Sequence, residues 1–537
     1  MSLKKEITKE DLIEDFKKLE LEYRKSFPNT NLSRDYYRQH GEYAENHITK
    51  LFGSYTTLKN TVHKEDEVEY IEEETEDEKK VTRQSLNIIK DDSTKSKNRK
   101  YFVTAAIAGA ALDKSFFKSV KTYCKYNDVK LVILPMRGVR LKDDFFDEEI
   151  MAYSDFFSTE FIFNDCLKAM DFMINPQMIN PLTSLSRYGL KHASLIVASP
   201  KQQFITVPIS SKKLPHIIHS TGSITIPTYA GTRAGKLAHQ DHCRGGLIIE
   251  IKDKEIFFLR QVQADRTGGF FDLDKYYSRN IVRKNIKAEA FIMGDLHTGS
   301  EDFTAINAWK NCLKITKPKH VIMHDVMDGM SINHHEELNV IYNANLPEYA
   351  KTLENELNLI GETLQEWSEN FPNINFVITR SNHDIWLDEY LKKGKYAKLG
   401  QSHNHEISLD LAKHVLYNKN PIEEYIKTNF NIKNLKWLKI DDDYIIEDVQ
   451  VGFHGHVGSG SKYTPSSYTL ELNYANSISG HKHSPSILRK TWVVGTSTKM
   501  DLEYNKGGGS NWLHASGLLY KGGMKQIIIS INGEWKL

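Results

Sequence analysis

Cysteine is scarce. Only Cys124, Cys166, Cys243 and Cys312 occur in 537 residues, and none of them forms a CxxC pair. That excludes a disulfide framework and points to a reducing cytoplasm. Long apolar runs are missing as well. No stretch approaches the roughly 18 uninterrupted apolar residues of a membrane span, which excludes an integral membrane protein and a membrane partner. The first residues, MSLKKEITKEDLIEDFKK, are charged throughout and lack the apolar core of a signal peptide. An excess of one charge is absent too, since 71 Lys and Arg stand against 70 Asp and Glu for a formal balance of +1. No global positive field therefore exists to attract a nucleic acid, and such a partner has to be held by local patches or metals. What is present suffices for a folded core: 40% apolar and 11% aromatic residues, over a length that favours about three domains. The 22 histidines are many, and they cluster.

The most polar stretch covers residues 63–100, with ten acidic residues between Glu65 and Glu78 and a basic, Ser/Thr-rich run behind them. Such a block buries too little apolar surface to offset its ordering entropy, so it reads as a linker. Before it, residues 1–62 form a helical unit. Leu12, Ile13, Phe16, Leu19 and Tyr23 stand at helical spacing, Ser33 is a candidate N-cap, and Gly41 and Gly53 punctuate the rest into short helices. The pattern YYR…I…LFGSYTTLK resembles the small helical repeats attached to homing endonucleases, which dock a helix on DNA. With 11 basic against 10 acidic residues in this unit, a helical assembly or packing role is an equal alternative.

Residues 101–280 read as an accessory α/β domain. YFVTAAIAGAAL, DKSFFKSVKTYCKYN and VKLVILPMRG give strand, amphipathic helix, strand, the pattern of a parallel βαβ unit, and further strands follow to about residue 265. Gly231, Gly235 and Lys236 imitate a phosphate-binding loop. The spacing is one residue short, and Leu237 stands where a hydroxyl is needed for Mg²⁺, so this is no nucleotide site. His239, Asp241, His242 and Cys243 read as surface residues, and Arg233, Lys236 and Arg244 as candidate phosphate contacts.

The chemistry begins near residue 286, in the segment 281–537. Short apolar runs lead in turn to Gly294-Asp295-Leu296-His297, to His324-Asp325-Val326-Met327-Asp328, to Ser381-Asn382-His383-Asp384, to His454-Gly455-His456 and to Gly480-His481-Lys482-His483. Runs of this length suit buried strands, and the turn after each one sets a polar group at the carboxyl edge, where open α/β sheets bind ligands. Asp295 and His297, like His481 and His483, stand at i and i+2 and point the same way from an extended backbone. Carboxylate, imidazole and amide oxygen form a mixed N/O donor set suited to Mn, Fe or Zn. Seven such groups are too many for one ion. They suit two ions sharing a carboxylate, the arrangement that clamps a phosphoryl group.

These motifs resemble those of the calcineurin-like metallophosphoesterases and, within them, the DNA-repair nucleases of the Mre-eleven type, over about residues 286–500. The resemblance implies a four-layer α/β–β/α sandwich for residues 281–537, preceded by the second α/β domain and the helical unit. It implies that Asp295, His297 and His483 hold one divalent ion, that Asp325 bridges, and that Asn382, His454 and His481 hold the other. His383 matches the family's catalytic histidine, with Asp384 to orient it. Two divalent ions are expected as cofactors, Mn²⁺ first, with Mg²⁺, Fe²⁺ or Zn²⁺ as alternatives. Two positions depart from the pattern: His324 and Ser381 stand where the family has glycine, a residue that permits a tight turn. His324 is a candidate substrate contact, while His334 and His335 read as solvent-facing.

The layout is also similar to that of the host-DNA-degrading nucleases of T5-type bacteriophages. That implies a DNase in the bacterial cytoplasm, with DNA as partner and a homo-oligomeric assembly. Two competing readings stand beside it: an enzyme acting on a small phosphoester or cyclic nucleotide, and an inactive DNA-binding or scaffold protein. The seven-residue donor set argues against the last.

Overall fold

A computed structural model describes residues 7–26, 32–65, 88–90, 99–136, 146–151, 160–189, 193–209, 213–336, 339–458, 465–502 and 508–537. The chain divides into two compact units, Met1–Thr82 and Arg83–Leu537. Most of the segment expected as a linker, and the Lys506–Gly507 start of the run KGGGSNW, lie outside the described residues. Within that expected linker, Ile88–Lys90 is a strand paired in parallel with Glu160–Ile162. No described helix is long and apolar enough to cross a membrane.

The first unit is helical, as its spacing predicts. Helices Lys9–Ser26, Arg34–His40, Glu45–Phe52 and Tyr55–Glu65 close over Leu12, Phe16, Leu19, Tyr37, Ile48 and Leu58. Ser33 caps the second helix through its hydroxyl, and Gly41 and Gly53 end the second and third.

The second unit is mixed α/β. Its six-stranded sheet runs in the order Leu435–Trp437, Asn375–Ile378, His320–Met323, Ala290–Ile292, Ala515–Leu519, Lys525–Ile529. The first four strands are parallel, and the last two add antiparallel. The C-terminal segment thus completes this sheet. Its Asn532-Gly533 turn has both residues at positive φ (52° and 82°), as a two-residue hairpin requires.

Strand alternation divides the side chains between two cores. Ala290, Ile292, Ile322 and Val377 enter a core between sheets. Phe291, Met293, Val321, Met323, Phe376 and Ile378 meet the helices Phe303–Thr316 and Leu353–Asn370 through Trp309, Leu357, Ile360 and Trp367. Burying each large side chain of this kind contributes about 1.5–3 kcal/mol. The inter-sheet core is closed by Val449, Val451, Ile478, Ile487, Trp492 and Val494, most of them on strands of an eleven-stranded sheet.

That larger sheet crosses the boundary drawn at residue 280. Gln203–Val207 pairs antiparallel with Ser486–Leu488, joining strands from residues 160–220 to strands from residues 445–493. The expected βαβ unit is present, with Arg99–Ile107 parallel to Lys130–Met136 across the helix Lys114–Asn127, in a separate four-stranded sheet with Gly245–Ile251 and Phe257–Gln263. Val103 and Leu247 of the small sheet lie in the same core as Ile322 and Ile478.

Candidate metal centre

Two sheets deliver the site from opposite sides. The six-stranded sheet carries Asp295, His297, His324, Asp325, Asn382 and His383 at the carboxyl ends of its parallel strands. The eleven-stranded sheet carries His454 after Val449–Gln450, and His481 and His483 after Ser477–Ser479. Beyond the strand ends, the first two loops run side by side: the amides of Leu296, His297 and Thr298 donate to the carbonyls of His324, Asp325 and Val326 at 3.0, 2.7 and 3.1 Å. On the other side the Gly480 amide donates to the His454 carbonyl at 2.9 Å.

The side chains then meet. His297 Nε2 lies 3.1 Å from His483 Nε2 and 3.5 Å from Asp325 Oδ2, while His483 Nε2 lies 3.2 Å from Asp295 Oδ2. Asp325 Oδ2 is also 3.0 Å from His454 Nε2. Donor atoms of Asp295, His297, Asp325 and His483 lie within 4.8 Å of one another, and so do those of Asp325, His454 and His481. Asp325 is the one expected ligand common to both groups. Asn382, at the first turn of the helix Asn382–Lys392, has its Oδ1 buried without a hydrogen bond.

Burial and charge set the protonation. Burial, then the Asp325 charge, raises the Asp295 carboxyl to about 7. Burial also pushes Asp325 upward, but the imidazoles of His454, His383 and His297 outweigh it and hold this carboxylate well below its usual range. His297 is pulled down by burial yet lifted to about 9, chiefly by Asp325 and Asp328. Burial lowers His481 to about 4 and His483 to about 3, so both offer neutral nitrogen.

The backbone is strained where the chemistry is. His297, Asp325, His481 and His483 have φ of 46°, 45°, 77° and 55°, the left-handed region that costs a non-glycine residue about 1–2 kcal/mol. Of the two positions where the family has glycine, Ser381 has an ordinary φ of −106° and caps the helix Asn382–Lys392, while beside His324 the positive φ falls on Asp325. Gly480 is required by space: a Cβ there would lie 2.2 Å from Asp295 Oδ1.

His383 is held by Asp328, whose carbonyl accepts its Nδ1–H at 2.6 Å. Its ring stacks on Trp386 at 4.0 Å and meets His297 edge-on at 4.6 Å. Asp384, expected to orient His383, instead closes a capping box with Ser381: its carboxylate accepts from the Ser381 amide, and the Ser381 hydroxyl accepts from its own. The carboxylate of Asp328 does the orienting at His297, 3.1 Å from Nδ1, and is itself fixed by the Ser300 hydroxyl at 2.5 Å. A carboxylate behind an imidazole in this way fixes the ring and its tautomer.

These residues fit a divalent ion. Asp295 Oδ1, Asp325 Oδ1, Asn382 Oδ1 and His483 Nδ1 are buried polar atoms without a hydrogen-bond partner. A cluster of buried acceptors without donors is costly unless a cation satisfies it.

Other expected residues are placed elsewhere. Arg233 and Lys236 are exposed on the helix Arg233–Asp241. Arg244, expected as a phosphate contact, is bound to Asp113 at 2.8 Å and to the Asp265 carbonyl at 2.7 Å, which commits its guanidinium internally. His242, expected on the surface, is packed between the Tyr229 hydroxyl (2.8 Å) and the Thr225 carbonyl (2.9 Å). His334 and His335 are exposed beside Trp386. Two participants had no sequence role assigned. His456 is buried, its ring 5.5 Å from that of His454, and Trp512 stands edge-on to His483 at 4.2 Å. Repetition in His454-Gly455-His456 was the available signal for the first; nothing local marks Trp512.

The chain is similar to Protein A1 of Escherichia phage T5, with 27% identity over 378 residues. The match takes in 65% of this chain and spans 65% of the length of that protein. No family model matches the chain. No solved structure matches it.

Proposed function

We propose that the chain is a divalent-metal-dependent phosphodiesterase that hydrolyses DNA, on the four-layer sandwich of the calcineurin-like metallophosphoesterases, and that it degrades host DNA in the cytoplasm of a phage-infected bacterium. One observation carries the reading: Asp325 Oδ2 stands between His297 and His454, so one carboxylate joins two donor groups. The likeness to a phage T5 protein supports the biological setting. The extensive polypeptide preceding the centre favours a macromolecular substrate over a small one.

Asp295, His297 and His483 would hold one ion and Asn382, His454 and His481 the other, with Asp325 shared. When bound, two divalent ions supply Lewis acidity, drawing charge from a phosphoryl group and making water acidic enough to attack near neutral pH. The protein's own groups do the rest. Asp328 fixes the His297 ring through its carboxylate and the His383 ring through its carbonyl. With Nδ1–H committed to that carbonyl, Nε2 of His383 is the atom left to face the departing oxygen. It gives that oxygen a proton only as the imidazolium, a form that burial disfavours and the Asp325 charge favours. Trp386, stacked on the same ring, limits its rotation. Exposed Arg233 and Lys236 are the cations proposed to meet the DNA backbone.

The test is a hydrolysis assay of the full chain with Mn²⁺ or Mg²⁺ on circular duplex, linear duplex, single-stranded DNA and a chromogenic phosphodiester. Cleavage of DNA that a chelator abolishes is expected. Turnover of the small ester alone would favour the small-phosphoester reading. Metal uptake with no hydrolysis of any substrate would favour a binding protein.

A further inference from the structure

We propose that His324 is a further nitrogen donor of the metal centre, supplied from the position directly before the shared Asp325. This rests on the metal-dependent reading above and extends its donor set beyond seven. The Thr379 oxygen lies 3.2 Å from the Met323 carbonyl and 2.9 Å from His324 Nδ1. With the hydroxyl donating to that carbonyl, its oxygen accepts from Nδ1–H, the tautomer that leaves a lone pair on Nε2. His324 is fully buried, and Nε2 has no hydrogen-bond partner.

Its neighbours make the lone pair informative. Donor atoms of His324, Asp295 and His454 lie within 4.8 Å of one another, and the His324 and His454 rings are 5.5 Å apart. Asp295 Oδ1 is likewise buried without a partner. Two buried atoms without a hydrogen-bond partner thus belong to one group of candidate ligands, an arrangement that a cation relieves. The missing side chain at Gly480 keeps that space open, since a Cβ there would come within 3.0 Å of His324 Cγ and 2.2 Å of Asp295 Oδ1. The Thr379 hydroxyl behind Nδ1 is the outer partner that a metal-binding imidazole characteristically has.

With His324, the imidazoles proposed as donors are His297, His324, His454, His481 and His483. A nitrogen-rich set favours transition ions such as Fe²⁺, Co²⁺ or Zn²⁺, and to a smaller degree Mn²⁺, over Mg²⁺.

The experiment uses the full chain, wild type beside His324→Ala, His324→Gln and Thr379→Val, each checked for wild-type circular dichroism. Mn²⁺ and Mg²⁺ affinities are measured by competition with a chelator, and the visible spectrum of the Co²⁺-loaded protein is recorded. Loss of His324 is expected to weaken Mn²⁺ at one site by about tenfold or more, to affect Mg²⁺ less, and to change the Co²⁺ bands. Thr379→Val, which frees the ring, is expected to weaken Mn²⁺ within the range of about 10–100-fold. A wild type that binds two ions and a folded His324 variant with the same Mn²⁺ affinity and Co²⁺ spectrum would overturn the assignment alone. A wild type that takes up no divalent ion would overturn the metal-dependent reading, and this assignment with it.

Discussion

Nδ1 of His383 lies 2.6 Å from the carbonyl oxygen of Asp328. A ring held there has one nitrogen left for chemistry. His383→Ala is therefore expected to retain bound metal and to lower turnover on DNA by about 10²–10⁴-fold, the usual contribution of a positioned acid. A nitrophenolate departs unaided, so a nitrophenyl phosphodiester should suffer much less. Equal losses on both substrates would make His383 a positioning residue; loss of metal on dialysis would make it a ligand.

Asp328 reaches two rings, His297 through its carboxylate and His383 through its carbonyl. Asp328→Asn removes the charge behind His297 while keeping the backbone contact. Metal affinity should fall by about 10–100-fold, the usual cost of losing an outer partner. Chelator competition measures this, and unchanged affinity would show that the orienting contact is idle.

Acid should destabilise the metal-free protein. Burial depresses His219, His242, His456 and His481 to about 4 and His483 to about 3. In the unfolded chain these imidazoles titrate near 6.5. Between those values these five imidazoles bind more protons in the unfolded state. They outweigh the carboxyls of Asp295, Glu356 and Asp384, which burial raises to about 7 and which act the other way, so stability falls as pH drops from about 6.5 toward 4. Thermal unfolding of the chelated protein across that interval should show a falling Tm; a flat profile would contradict the burial assigned to these rings.

Deleting residues 1–62 separates two roles for the helical unit. If it touches DNA, duplex affinity should weaken and its dependence on salt should flatten, because fewer counterions are released. An unchanged salt slope with an altered sedimentation coefficient would assign the unit to assembly of chains with one another.

What was legible in the sequence is what is local. The unbroken apolar run Ala290, Phe291, Ile292 and Met293 announces a buried strand, and its side chains divide between both cores. Ser33 announces a cap, because its side chain acts on the backbone a few residues on. The donor residues were legible because strand ends concentrate them. The pairing of Gln203–Val207 with Ser486–Leu488 was not, since strands nearly 300 residues apart leave no periodic trace of each other. The partner of Arg244 was hidden for the same reason: Asp113 is 131 residues away. Asp384 follows His383 directly, yet its carboxylate serves the helix N-terminus, a competition that spacing alone does not resolve.

The shared carboxylate is the centre of the account, and Asp325→Ala tests it most directly. Metal content and DNA cleavage are measured together, on wild type and on the variant, after dialysis against Mn²⁺ and after chelation. Two ions per chain and cleavage are expected for wild type, with loss of cleavage and of at least one ion in a folded Asp325→Ala protein. Full cleavage by that variant, or by the chelated wild type, would contradict a two-ion centre joined through Asp325.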